Sequence, residues 1–279
     1  MLLCLAHPAA AHSMPELGRL IYRTHDDDGE IHVYEDGRFR YLTFGNEVEQ
    51  SCLDLAQPKR LEHVYTQAML LALLLHDDLC DALLLGLGGG SLARALRAAD
   101  DRLNVIGIEE RAAVIDVARA LFQLPRDRGF AAVCADARVF LGQTEAHFGA
   151  IFADLYLAGG VHPDQSTPEF LALCRDRLSD NGLLVVNQWA SEYQRNMQTF
   201  AALRDGFADR LLNVHVQGGN IVSFAFRDHL PELRRDAFFD SAEALGQRLA
   251  IPLQRQARNL WRQNAEVLGV GRFRGRRRR

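Results

Sequence analysis

The sequence has almost no lysine and no paired cysteines, and these absences narrow the kinds of protein it can be. Lys59 is the only lysine among 32 basic residues, so arginine carries nearly all of the positive charge. The five cysteines are scattered and none forms a C-x-x-C pair, so a metal cluster is not expected. An odd number of unpaired thiols is typical of a reducing compartment and indicates a cytoplasmic protein.

Long apolar runs and a strong excess of one charge are also missing. The apolar stretch over residues 69–75 ends at His76, far short of the roughly 20 residues that span a bilayer. The apolar start of the chain lacks the basic flank of a secretory signal. The formal net charge of -4 provides no general attraction to nucleic acid or to an anionic membrane, so neither is expected as a partner.

What the sequence does contain is enough apolar material for one large α/β domain with a small appendage. Hydrophobic residues make up 48% of the 279 residues. Apolar and polar residues alternate over 31–34 and again over 39–44, and Asp36-Gly37 lies between them, which predicts a β-hairpin. We therefore expect a small N-terminal β-hairpin domain over residues 1–60.

From residue 81 onwards, short apolar runs alternate with segments of helical spacing. The predicted strands cover 82–85, 103–108, 131–134, 148–153 and 182–187, followed by a closing pair over 211–216 and 221–226. The predicted helices cover 61–75, 91–99, 112–122, 168–178 and much of 232–263. Strand–helix–strand units of this length predict a parallel sheet with helices on both faces. The fold class is therefore α/β, with a Rossmann-like domain over 61–265 and a solvated basic tail over 266–279.

Four consecutive predicted strands end at a glycine or an acid: Gly86, Glu109, Asp136 and Asp154. Ligands of open parallel sheets bind at the carboxyl ends of the strands, so these residues should meet in one crevice. Taken singly, each has an ordinary explanation, because glycine makes tight turns and acids cap the helices that follow them. Their recurrence at four strand ends favours a binding site.

Each strand end suits one part of an adenosyl ligand. The loop after the first strand carries four glycines: Gly86, Gly88, Gly89 and Gly90. Glycine lets the backbone approach a ligand closely, and the N–H groups of the next helix favour a carboxylate or phosphate. Glu109 can accept hydrogen bonds from both ribose hydroxyls, and Asp136 can accept one from the adenine amino group beside a backbone N–H near Ala137. Asp154 would lie beside the transferred group, where it could stabilise a sulfonium or orient an amine.

The same residues resemble a known family. Residues 81–191 look like the catalytic domain of the spermidine synthases, the polyamine aminopropyltransferases. The matching motifs are the glycine loop followed by an acid, Val114-Ile-Asp-Val-Ala-Arg119, Asp136-Ala-Arg-Val-Phe-Leu141, the strand ending at Asp154, and Asn181-Gly-Leu-Leu-Val-Val-Asn-Gln188. The hairpin segment before residue 60 also resembles that family's N-terminal β-domain.

The resemblance implies a fold, a reaction and a set of roles. The fold is that of the S-adenosylmethionine-dependent methyltransferases, and the reaction moves an aminopropyl group from decarboxylated S-adenosylmethionine to a small amine, in polyamine biosynthesis and without a metal. Gln50 and the glycine loop would face the amino-acid-like arm of the co-substrate, Glu109 the ribose and Asp136 the adenine. Asp154 and Tyr65 would be catalytic, with Tyr65 at the amine end of the cleft. A homodimer is also implied.

The chain departs from the family where the amine should bind. Leu157 stands in place of a second acid, and Thr66 and Gln67 stand in place of a histidine and a glutamate. A polyamine is strongly cationic, so its site needs carboxylates that offset the cost of desolvation. The acids left as candidates for this task are Glu62, Asp164 and Glu169.

Three other functions stay open at this point. A methyltransferase on the same scaffold, using S-adenosylmethionine and a less cationic acceptor, is favoured by the missing acids. A non-catalytic relative that binds a nucleoside is disfavoured because Gly90, Glu109 and Asp136 are retained. A NAD-binding domain fits the glycine loop less well. Tyr156 and Trp189 flank the predicted cleft, while His63 and His162 are more typical of packing or surface positions than of ligands.

Overall fold

The chain begins with an antiparallel sheet of four strands. The computed structural model describes residues 17–46, 48–191 and 193–269, so the arginines of the predicted basic tail at 272–279 lie outside the described residues. The strands are β1 (Arg19–Asp26), β2 (Gly29–Asp36), β3 (Phe39–Thr43) and β4 (Glu49–Asp54), paired in that order. The predicted hairpin is β2–β3, in which Asp36 pairs with Phe39 around a two-residue turn at Gly37 and Arg38. Gly37 has φ +58°, as such turns require.

Nine further strands follow. They are β5 (Asp81–Leu85), β6 (Asn104–Glu109), β7 (Phe130–Cys134), β8 (Phe148–Ala153), β9 (Tyr156–Leu157), β10 (Gly160–Val161), β11 (Leu178–Trp189), β12 (Leu211–His215) and β13 (Asn220–Phe226). β9 and β10 pair with each other, and the other seven form one sheet in the order β12-β13-β11-β8-β5-β6-β7. The five strands from β11 to β7 are parallel, and β13 runs antiparallel to both of its neighbours. The predicted α/β class is confirmed.

Ten helices are described. They are α1 (Val64–Met69), α2 (Ala72–Leu75), α3 (Ser91–Ala99), α4 (Ala112–Leu121), α5 (Ala137–Gln143), α6 (Pro168–Asp176), α7 (Tyr193–Phe207), α8 (Arg235–Leu249), α9 (Leu253–Gln263) and α10 (Ala265–Leu268). The single helix predicted over 61–75 is wrong, because the chain turns at Leu70 and Leu71 into a second short helix. The helical stretch near residue 250 is likewise broken, since Ala250 adopts φ +56° and Pro252 has no N–H to donate.

Helices cover both faces of the large sheet, as the strand–helix alternation predicts. Consecutive residues of β5 point to opposite faces of the sheet. Leu84 packs into the core shared with α3, α8 and α9, whereas Leu83 packs into the core shared with α5, α6 and α7. None of the helices in the described part of the chain is long and apolar enough to cross a membrane.

The N-terminal sheet is docked onto the large domain through its own apolar face. Ile31, Val33 and Leu42 are fully buried and pack in one cluster with Val114 of α4 and with Phe122. Burial of each such side chain contributes about 1.5–3 kcal/mol. This docking places the start of β4 over the carboxyl edge of the large sheet, where the candidate site lies.

Candidate functional site

A cavity of about 510 Å³ opens at the carboxyl ends of β5, β6, β7 and β8. Gly86, Glu109, Asp136 and Asp154, which end or follow these strands, all line it. β4 and the start of α1 close the cavity from the other side. A volume of this size is typical of sites for small organic ligands. The structure therefore brings the four strand-end residues together in one crevice.

The glycine loop divides into two parts with different surroundings. Gly86 and Gly88 line the cavity. Gly86 has φ +89°, and a Cβ there would lie 2.3 Å from the main-chain oxygen of Asp154, so only glycine allows the two loops to touch. Gly89 and Gly90 do not line it: the Gly89 N–H donates to Ser51 Oγ at 2.9 Å, and a Cβ on Gly90 would lie 2.3 Å from Leu124 Cδ1. The prediction that all four glycines face a ligand does not match this geometry, because these two hold the loop from behind.

Glu109 is held by three main-chain donors. Its Oε2 accepts from the N–H groups of Leu87 and Gly88 at 3.2 and 3.1 Å, and its Oε1 accepts from the N–H of Arg111 at 3.2 Å. Burial raises the pKa of Glu109, and these three hydrogen bonds oppose the rise. A carboxylate has about four lone-pair directions, so Oε1 keeps capacity for one further donor such as a hydroxyl group.

Asp136 caps a helix and lines the cavity at the same time. Its Oδ1 accepts from the N–H of Val139 at 2.7 Å, which is the N-cap bond of α5. Asp136 and the next residue, Ala137, both line the cavity. The capping explanation and the binding explanation are therefore compatible at this position.

Asp154 is the centre of a polar network beneath the cavity. Its Oδ1 accepts from Asn187 Nδ2 at 2.8 Å, and the same Nδ2 donates to the hydroxyl oxygen of Tyr156 at 2.9 Å. Asn220 Nδ2 donates to Asn187 Oδ1 at 3.0 Å and so fixes the orientation of that amide. Tyr65 adds a side-chain hydrogen bond to Asp154. Asn220 was not singled out from the sequence, because nothing near it in the chain marks it.

Burial dominates the electrostatics of this network. It raises the pKa of Asp154 to about 6, although the hydrogen bonds from Asn187 and Tyr65 and the charge of His63 lower it. Burial and the Asp154 carboxylate together raise the pKa of Tyr65 well above its usual value. Tyr65 therefore keeps its proton and donates to Asp154. A carboxylate that is buried in this way gains most when a cation comes to lie beside it.

The other end of the cavity carries Glu49, an acid that the sequence did not single out. Glu49, on β4, accepts at Oε1 from His63 Nε2 at 2.7 Å. The ring of His63 stacks on that of Tyr65, with centroids 5.5 Å apart and planes 15° from parallel. Of the candidate substitutes for the missing acids, Glu62 and Asp164 line the cavity and Glu169 does not.

The residues that depart from the family pattern lie in three different settings. Leu157 is at the rim of the cavity and 46% exposed. Thr66 also lines the cavity, and its hydroxyl donates to the main-chain oxygen of His63 at 2.8 Å. Gln67 is buried away from it and donates to the main-chain oxygen of Leu61 at 2.8 Å. These positions therefore supply no carboxylate to the cavity.

The cavity as a whole is acidic and partly aromatic. Seven carboxylates line it: Glu49, Glu62, Glu109, Glu110, Asp136, Asp154 and Asp164. The lining arginines are Arg111, which pairs with Asp26 at 2.6 Å, and Arg138, which pairs with Asp164 at 3.4 Å. Gln50 lines the cavity too, as do Tyr156 and Trp189, whose rings are 5.6 Å apart. This excess of carboxylates suits a cationic ligand.

Within residues 17–46, 48–191 and 193–269, the structure contains no group of three or more histidine, cysteine, aspartate or glutamate side chains that could hold a metal ion.

Comparison with characterised sequences identifies the relatives of this chain. No protein-family model matches it. A polyamine aminopropyltransferase of Chromobacterium violaceum is 30% identical over 246 residues, which are 86% of this chain and 92% of that protein. The chain belongs to the polyamine aminopropyltransferase family. A second polyamine aminopropyltransferase, from Neisseria meningitidis, is 28% identical and covers 83% of this chain and 89% of its own length. The resemblance that the motifs indicated is thus confirmed.

Solved structures agree with the family's fold. A probable spermidine synthase from Corynebacterium glutamicum superposes with a TM-score of 0.68 at 17% identity, covering 82% of this chain and 93% of its own. The spermidine synthase of Thermotoga maritima gives 0.61 at 18% identity, covering 83% and 88%. Human methyltransferase-like protein 13, solved in complex with SAH, gives 0.56 at 20% identity, covering 67% and 93%. The Rossmann-like methyltransferase fold is therefore confirmed.

Proposed function

We propose that this aminopropyltransferase-family protein moves an aminopropyl group from decarboxylated S-adenosylmethionine to a small aliphatic amine. The observation that carries the proposal is the placement of Glu109, Asp136 and Asp154 around one acidic cavity at adjacent strand ends. Family membership supports the reaction class, and the excess of cavity carboxylates supports cationic substrates.

Each wall of the cavity has a part in this proposal. Glu109 binds the ribose at its hydroxyl groups, and Asp136, with the backbone near Ala137, binds the adenine. Gln50 and the loop at Gly86 and Gly88 enclose the aminopropyl arm. These groups fix the donor before the acceptor enters, which removes much of the entropic cost of bringing two molecules together.

Asp154 and Tyr65 act where the bond changes. The Asp154 carboxylate lies beside the carbon that is bonded to the sulfonium. There it stabilises the positive charge of the donor and orients the incoming nitrogen. Tyr65 and Asn187 hold this carboxylate in place through their hydrogen bonds. Tyr156 and Trp189 present aromatic faces on which the cationic chain of an amine can lie.

A methyltransferase is the second candidate, and the exposed Leu157 at the rim is the observation that favours it. Without a carboxylate at that position, the rim offers less to a polycation than the family pattern does. The fold is shared by both kinds of enzyme, so it does not separate them.

Calorimetric titration and a product assay separate the two candidates. The protein is titrated with S-adenosylmethionine, decarboxylated S-adenosylmethionine and methylthioadenosine, and then incubated with the preferred donor and a panel of aliphatic mono-, di- and triamines. We expect tighter binding of the decarboxylated donor, release of methylthioadenosine and an acceptor that gains an aminopropyl group by mass spectrometry. Preference for the carboxylated donor with release of S-adenosylhomocysteine would establish the methyltransferase instead, and binding of none of the three would refute both.

A further inference from the structure

The amine end of the cavity contains a histidine–carboxylate pair that the family motifs do not include. His63 precedes α1 and Glu49 lies on β4, so the pair joins the N-terminal sheet to the large domain. Both side chains line the cavity, and each is about one-quarter exposed, at 25% and 24%. An acceptor molecule in the cavity can therefore reach them.

Two contacts fix the orientation of the His63 ring. Its Nε2 lies 2.7 Å from Glu49 Oε1, and its face lies parallel to the ring of Tyr65. When the carboxylate is ionised, Nε2 must carry the proton of this hydrogen bond, so Nδ1 is left as the acceptor of the neutral ring. A carboxylate that holds an imidazole in one tautomer is the usual way in which proteins prepare a histidine to take up a proton.

Four side chains that line the cavity face His63. Glu49 faces it from β4, Tyr65 from the start of α1, Glu62 from the segment before α1, and Asp154 from the end of β8. The charge of His63 in turn lowers the pKa of Asp154, so the two groups lie within electrostatic reach of each other. His63 is therefore part of the polar network around Asp154.

The reaction needs a proton acceptor at this place. An aliphatic amine is almost wholly protonated at neutral pH and cannot attack until it loses a proton. Leu157 cannot take that proton, and Asp154 already accepts hydrogen bonds from Asn187 and Tyr65. Among the side chains at this end of the cavity, imidazole is the one most often used as a general base.

We propose that His63, oriented by Glu49, is the general base that removes a proton from the acceptor ammonium; this inference rests on the aminopropyl transfer proposed above. Nδ1 of His63 takes the proton, and the freed lone pair of the nitrogen forms a bond to the carbon next to the sulfonium. The carbon–sulfur bond breaks with its electron pair going to sulfur, which leaves as neutral methylthioadenosine. His63 then returns its proton to solvent.

The test compares the pH profiles of three variants with that of wild type. His63→Asn removes the base, and Glu49→Gln keeps the imidazole but removes its orienting charge. His32→Asn is the matched control, because His32 pairs with Glu30 at 2.5 Å in the same N-terminal sheet but does not line the cavity. Transfer from decarboxylated S-adenosylmethionine is measured from pH 7 to pH 9, and methylthioadenosine affinity is measured for each protein.

At pH 7 we expect His63→Asn to lose 10²- to 10⁴-fold in kcat, as removal of a general base does, with methylthioadenosine affinity within about threefold of wild type. The free amine fraction rises about 100-fold between pH 7 and pH 9, so the deficit should shrink at least tenfold over that range. Glu49→Gln should lose less kcat at pH 7, and this loss should also shrink towards pH 9. The kcat of His32→Asn should match that of wild type.

Two results would overturn this assignment and leave the proposed function standing: wild-type rates in His63→Asn, or a loss of rate that stays constant from pH 7 to pH 9. If His63→Asn fails to bind methylthioadenosine, the profile of Glu49→Gln decides by the same criteria. Absence of aminopropyl transfer by the wild-type protein with every amine tested would instead refute the proposed function itself.

Discussion

Replacing Asp154 by asparagine should make the protein more stable and less active. Burial raises the pKa of Asp154 from 3.8 to about 6, a difference of about 2 units or about 3 kcal/mol. Because the folded pKa lies above the unfolded one, the folded protein binds more protons between about pH 4 and pH 6. Stability is therefore lost as the pH rises through this window and stays lower above it. An asparagine carries no charge, and its oxygen can still accept from Asn187 and Tyr65.

The assay is urea unfolding of wild type and Asp154→Asn at several values between pH 4 and pH 8. We expect the two proteins to be about equally stable near pH 4 and the variant to be more stable at pH 8, by at most about 3 kcal/mol. Aminopropyl transfer by the variant should fall by about 10²-fold or more, while its affinity for methylthioadenosine changes little, since the lost charge acts on the transferred group. Such a gain of stability with loss of activity is common at active sites.

Asp100 provides a control, because its pKa is shifted in the opposite direction from that of Asp154. Hydrogen bonds and charge from Arg102 lower the pKa of Asp100 to about 2. Its contribution to stability is present above the unfolded pKa and is lost as the pH falls through about 2. Asp100→Asn should therefore be slightly less stable than wild type at neutral pH. A stability difference for Asp154→Asn that does not vary with pH, or a less stable variant at pH 8, would contradict the reasoning about its buried charge.

Two further predictions concern the nucleoside end and the glycine loop. Asp136→Ala should weaken methylthioadenosine binding by about 1–3 kcal/mol in calorimetry. Asp136→Asn is the control, because asparagine keeps the helix cap and so separates an effect on binding from an effect on stability. Unchanged affinity in the alanine variant would exclude the adenine role. Gly86→Ala should lower the free energy of unfolding by about 2 kcal/mol or more, because the new Cβ meets the main chain of Asp154. Gly142→Ala, where the new Cβ meets nothing within 4 Å, should instead raise the free energy of unfolding by about 0.5–1 kcal/mol. Equal effects of the two glycine substitutions would show that the contact at position 86 is unimportant.

The centre of the large sheet could be predicted from sequence because its inner strands are buried on both faces. Phe148–Ala153 is an unbroken apolar run with turn signals on either side, and the structure has the strand at these bounds. The bounds of β1 could not be set in this way, since most of its residues are exposed and it lacks regular alternation. α7 carries only a weakly amphipathic pattern and was not anticipated. The break at Leu70 is set by tertiary packing, which local spacing does not record.

The candidate site was predictable to the extent that it follows from topology. Parallel strands place their carboxyl ends at one edge, so Glu109 and Asp136 could be expected to meet although they are far apart in the chain. Glu49 and His63 come from outside that sheet, and their proximity depends on how the N-terminal sheet docks. Asn220 approaches Asn187 only because β13 pairs with β11. Contacts of this kind leave no signature in either local segment.

The two-sided construction of the cavity has an evolutionary consequence. The groups proposed to grip the nucleoside belong to the strand ends of the large sheet, while the opposite wall comes from β4 and the start of α1. A lineage could therefore adapt to a new amine by changing a short stretch of chain near Glu49 and His63, without disturbing its binding of the nucleoside. Departure from the family pattern at Thr66, with the family's acids present at Glu109 and Asp136, is what such stepwise adaptation would produce.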